Sequence, residues 1–134
     1  MTTTLGQLID RHGVVVLDHL DRDLAVPVKD GLQFQGDLAV IPNPDTNATG
    51  APVPPQGTAV IEAANGGHEH RLLASAPGTA QFALSGQDLG HLTCTQPAYL
   101  AHPEHGYLGI AAGSYTLRRQ REQAQAGKER LIAD

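Results

Sequence analysis

Residues 98–122 read AYLAHPEHGYLGIAAGSYTLRRQRE, and this stretch decides the fold. Ala98 to Ala101 is a short apolar run. His102-Pro103-Glu104-His105-Gly106 follows, and its Pro and Gly mark a tight turn. Tyr107 to Ala111 is again strand-like. Ala112-Gly113 turns the chain into Ser114 to Glu122, the strongest alternating segment of the C-terminal half. Short strands punctuated by turns are the pattern of an all-β domain.

The same pattern runs upstream. Gln81 to Ser85 and His91 to Gln96 are short strands separated by Ser85-Gly86-Gln87-Asp88, and Pro77-Gly78 is a further turn. Thr58 to Ala63 and His68 to Ala74 are strands joined through Ala64-Asn65-Gly66-Gly67, where Asn-Gly favours positive φ. Residues 43–56 lack periodicity and are crowded with Pro, Asn and Gly, so they are expected to form a flexible loop. Leu32 to Pro42 reads as one strand interrupted at Gly36 by a bulge. The N-terminal segment opens with a short helix. Thr4 is its cap, Leu5, Leu8 and Ile9 share one face, and Gly13 stops it. Val14 to Leu17 and Leu24 to Val28 read as further short strands, and Glu129 to Ala133 as a last edge strand. Eight or nine strands predict a small β-sandwich or barrel in one domain, 1–134. Residues 1–32 form an N-terminal extension to a β core over 33–134.

Composition narrows the function. Among 134 residues there is no Trp, with two Phe and three Tyr, so the core must be built from Leu, Val, Ile and Ala. Such a thin core would gain stability from a bound metal or a homo-oligomeric interface. The net charge of −5 argues against a nucleic-acid binder, which needs clustered Lys and Arg. Arg118-Arg119-Gln120-Arg121 is a local exception, but no aromatic stacking platform adjoins it. Cys94 stands alone, which excludes an intrachain disulfide and a cysteine-rich zinc site and fits a cytoplasmic setting. The N-terminus lacks the basic-then-apolar pattern of a secretion signal, and no stretch approaches membrane-span length.

Two histidine pairs carry the chemistry. His68 and His70 are separated by one residue, so on a strand both imidazoles project from one face. His102 and His105 flank the Pro103-Glu104 turn. Four imidazoles can hold one divalent transition metal, with Zn²⁺ the first expectation and Fe²⁺, Mn²⁺ or Ni²⁺ the alternatives. Four ligands would favour a structural site, three plus water a reactive one. The competing reading is that turn and strand-end histidines are solvated or bonded to backbone. Glu69 points away from its flanking histidines on a strand. Glu104 could orient an imidazole or act as a base on bound water, although a solvated turn carboxylate is commoner. Arg119 and Arg121 share strand parity with Tyr115 and Leu117, so they could clamp a small anionic ligand or simply pair with carboxylates. His12 and His19 are expected at the surface. His91 is expected to face opposite to a buried Leu92 and Cys94, and Cys94 has nothing nearby to activate it.

Taken together, Gln35-Gly36-Asp37, Gly67-His68-x-His70, His102-x-Glu104-His105 and Gly113-x-Tyr115-x-Leu117-x-Arg119-Gln120-Arg121-Glu122 resemble a family of small, uncharacterised bacterial and phage-associated proteins. The likeness covers roughly residues 33 to 134. It implies that the four histidines, Arg119, Gln120 and Arg121 belong to one shared design. A weaker likeness is to cupins, small barrels with a His-x-His pair, but no Glu follows His70 at cupin spacing. The sequence therefore predicts a metal-binding β domain. A metal-dependent enzyme on a small anionic substrate, or a metal-free structural protein of phage origin, are the alternatives.

Overall fold

The computed structural model describes residues 3–13, 25–44, 50–61, 69–85 and 88–119. The expected strands at 14–17 and 129–133, the 64–67 turn, His19, His68, Gln120 and Arg121 lie outside the described residues.

The chain runs α1 (Leu5–His12), β1 (Val28–Lys29), β2 (Gln33–Gln35), β3 (Leu38–Pro42), β4 (Ala51–Pro52) and β5 (Thr58–Ile61). It continues with β6 (His70–Ala74), β7 (Ala80–Leu84), β8 (Gly90–Cys94), β9 (Ala98–His102), β10 (Gly106–Ile110) and β11 (Gly113–Arg119). One sheet has the order β1-β10-β9-β6-β5 and the other β2-β3-β11-β8-β7-β4. Two open sheets face each other, so of the two expected architectures the small sandwich is the one formed, and among the described residues no barrel closes.

The inter-sheet core joins Leu72, Leu100 and Ile110 of the first sheet to Leu38, Leu92, Tyr115 and Leu117 of the second. It is built almost wholly from aliphatic residues, as the composition requires. A second cluster covers the outer face of the first sheet, where Leu5 and Leu8 of α1 pack on Leu73, Tyr99 and Ala101. Strand β9 is therefore buried along its whole length. Ala98 and Leu100 face the other sheet, while Tyr99 and Ala101 face the helix. The helix ends as its sequence predicts. Thr4 and Gln7 form a reciprocal capping box, and Gly13 closes it with φ +76°.

Three local expectations need correction. Gly36 is not a bulge. Gln35 pairs directly with Leu38, so Gly36-Asp37 is a two-residue hairpin turn, with Gly36 at φ +61°. That positive φ is what such turns demand of their first residue. Residues 43–56 are not all loop, because Ala51–Pro52 pairs with Phe82 and Gln81 of β7. His12 is half-buried rather than at the surface, and its pKa is lowered first by burial and then by Arg11. The expected burial of Leu92 and Cys94 is observed, and burial raises the Cys94 pKa.

Tyr107 extends the outer cluster, and its hydroxyl donates to the Leu8 carbonyl at 3.5 Å. Burial pushes its pKa up to about 12. The folded value lies above the ordinary one, so the unfolded chain loses this proton first as pH rises. The stability held by neutral Tyr107 is complete below pH of about 10 and is lost as pH climbs towards 12. Urea denaturation across that window should show a decline that Tyr107→Phe makes shallower.

Candidate metal centre

The register of two strands brings the first imidazoles together. Arg71 pairs with Ala101 and Leu72 with Leu100. Extending that antiparallel register by one residue sets His70 opposite His102. Both share parity with core residues, His70 with Leu72 and His102 with Leu100, so both turn towards the space between the sheets. Both are fully buried. His105 joins them from the β9–β10 turn and is exposed. The ring centroids of His70 and His102 are 4.4 Å apart, those of His102 and His105 4.4 Å, and those of His70 and His105 6.5 Å. Three of the four sequence-predicted ligands thus meet at one end of the sandwich.

The tautomers can be assigned from their partners. Gln35, buried on β2, donates from Nε2 to the carbonyls of Leu100 and Gly106, each at 2.9 Å. Both amide hydrogens are then used, so Oε1 must be the atom that meets His70 Nδ1 at 3.0 Å. That oxygen can only accept. His70 therefore carries its proton on Nδ1, and the neutral ring has its lone pair on Nε2.

His102 is arranged the opposite way. Its Nδ1 accepts the backbone N–H groups of Glu104 and His105, both at 3.1 Å. An imidazole here does what an Asn or Asp side chain does in an Asx turn. Its Nδ1 lone pair is committed, so the neutral ring carries its proton on Nε2. Pro103 after His102 favours extended backbone at the strand end, and Gly106 closes the turn at φ +81°.

Asp37 and Arg119 complete the centre. The Gly36-Asp37 turn points the Asp37 carboxylate at the cluster, with Oδ1 3.9 Å from His70 Nε2. Arg119 is level with Leu38 in the β3–β11 register, and its Nε lies 3.7 Å from Asp37 Oδ2. Its neighbour Arg118 points outward and pairs with Asp88 at 2.6 Å. Arg119 is thus ion-paired to a carboxylate of its own chain, one of the two roles its parity allowed. Glu104 is exposed and contributes its backbone N–H to His102. Glu69 pairs with Arg71. His91 sits 3.1 Å from Thr116 Oγ1, away from this cluster. Among the described residues, no group of three or more His, Cys, Asp or Glu side chains is placed to hold a metal ion.

Sequence reading assigned no role to Gln35 or Asp37, although both belong to the quoted Gln35-Gly36-Asp37 motif. The available signal was two polar residues straddling a glycine at the mouth of an apolar strand. Gln35→Leu keeps the volume but strips partners from two carbonyls and one ring N–H. At about 1–3 kcal/mol for each buried group left unsatisfied, it should destabilise the fold by at least about 3 kcal/mol. Urea denaturation measures this, and a loss below about 1 kcal/mol would contradict the assignment.

A family model described as a domain of unknown function, DUF8820, matches residues 34–120. No curated protein and no solved structure matches the chain. The matched span holds Gln35, Asp37, His70, His102, His105 and Arg119 and covers well over half of the sequence. The chain therefore belongs to the DUF8820 family.

Proposed function

We propose that this protein is a small metal-binding β domain, with one divalent transition metal held at the end of the sandwich by His70, Asp37 and His105. Zn²⁺ is the first candidate, since two imidazoles and a carboxylate suit it, and Fe²⁺, Mn²⁺ and Ni²⁺ accept the same donors. The observation that carries the reading is the Gln35–His70 hydrogen bond. It protonates Nδ1 and leaves the Nε2 lone pair beside a carboxylate. A buried partner on the far nitrogen is how metal-ligating histidines are ordinarily oriented.

The distances support a modest closure. Two donors about 2.1 Å from a tetrahedral metal are about 3.4 Å apart. His70 Nε2 and Asp37 Oδ1 are separated by 3.9 Å, so about half an ångström of movement suffices. His105 lies at the exposed side of the cluster and gives the ion a route in. His102 is assigned to positioning rather than ligation. To coordinate through Nε2 it would have to release that proton while its Nδ1 still faces two N–H donors. This revises the expectation of two equivalent histidine pairs, with His68 the remaining candidate for a fourth ligand.

The metal's role is chiefly structural. It would tie the β2–β3 turn, β6 and the β9–β10 turn at the end of an aromatic-poor core. At a free metal concentration of about 100 times Kd, binding would add about 2.7 kcal/mol of stability.

Elemental analysis of untagged protein, together with metal titration of the chelated form, tests the proposal. One equivalent of metal and a higher melting temperature are expected. His70→Ala and Asp37→Asn should lose metal. His102→Asn should retain it, because an Asn oxygen can still accept from the turn N–H groups. A protein that takes up none of the four metals, with a melting temperature unmoved by them, overturns the reading.

A further inference from the structure

We infer that a cleft beside the histidine cluster is a binding site for a small carboxylate with a flat apolar body, an aryl carboxylate being the simplest member of the class. The cleft is open to solvent and has a volume of about 260 Å³, somewhat below the range of drug-sized ligand pockets. Lys29 of β1, Phe34 of β2 and His105 with Tyr107 of the β9–β10 hairpin line it. It therefore spans the edges of both sheets.

Three features choose the ligand class. The first is charge. The cationic residue Lys29 is among the lining residues, and no Asp or Glu is among the described residues that line the cleft. In a chain of net charge −5, a wall with a cation and no carboxylate is a local reversal of sign. It favours an anion. The second is the aromatic surface. The whole sequence has two Phe, three Tyr and no Trp, yet one of the two Phe lines this cleft. Phe34 is 53% exposed, although a chain so poor in aromatics would gain by burying it. A flat partner could stack there.

The third is rigidity. Gln33 donates from Nε2 to the Gly109 carbonyl at 2.9 Å, linking the second sheet to β10 of the first. Gln35 makes two more such links, to Leu100 and Gly106. The Lys29 backbone is held by pairing with Ile110 and by the Ala111 N–H on its carbonyl at 2.9 Å. The backbone walls are thus set before a ligand arrives, which lowers the ordering cost of binding.

The inference does not require a metal, so its test is run with chelator present. Benzoate, its neutral isostere benzamide, and acetate are titrated into the full chain and followed by backbone amide chemical shifts. Benzoate should give saturable shifts at residues 29, 33–36 and 105–108 and bind about tenfold more tightly than benzamide. Lys29→Gln should erase that preference. Phe34→Ala should weaken benzoate by several-fold and leave acetate unchanged. Both residues are exposed, so neither variant endangers the fold. Equal affinity for benzoate and benzamide, shifts elsewhere on the surface, or no saturation at about 10 mM benzoate would each overturn the inference. None of these would touch the metal proposal, which is read by elemental analysis.

Discussion

One buried amide organises this end of the molecule. Gln35 belongs to the second sheet, yet its side chain makes three hydrogen bonds to the first: two to backbone carbonyls and one to His70. A polar side chain only 3% exposed is costly unless every atom is satisfied. Here that condition is met in a single geometry. It fixes how the β2 edge docks on the β9–β10 hairpin, and it fixes which nitrogen of His70 faces Asp37. The same contact therefore supports the fold and orients His70 at the proposed site.

The surrounding architecture makes such a contact affordable. Strand β9 is a middle layer, with α1 packed on one face and the opposite sheet on the other. Rigid backbone on both sides holds the Leu100 carbonyl and the His102 ring in place. The His102 ring then holds the next turn by accepting two N–H groups. Two histidines with opposite tautomers stand 4.4 Å apart, one offering a lone pair and the other an N–H. Equivalent ligands would not need such different surroundings, which is why we separate a donor, His70, from a positioning residue, His102.

Much of this was legible in the chain. The capped helix follows from Thr4 and Gly13, because capping is local chemistry. The all-β class follows from regular turn signals, and the His102-Pro103-Glu104-His105-Gly106 turn from its Pro and Gly. The convergence of His70 with His102 and His105 was expected from the histidine spacing and the family likeness, and the strand register supplies the physical cause. Other features were beyond sequence reading. The Gly36-Asp37 hairpin looked like a bulge, because a two-residue turn between two apolar-flanked segments leaves almost the same pattern. The pairing of Ala51–Pro52 with β7 has no signal of its own, being only two residues long and set among turn formers. The tautomers were invisible, since they depend on partners 35 residues away for His70 and on turn geometry for His102.

The account stands on the protonation pattern of the cluster. Long-range proton–nitrogen correlation spectra of the imidazoles, recorded on chelator-treated protein near neutral pH, read that pattern directly. We expect His70 with its proton on Nδ1 and His102 with its proton on Nε2. A His70 ring protonated on Nε2 would mean that Gln35 does not orient it, and the metal-donor role assigned to that nitrogen would be contradicted.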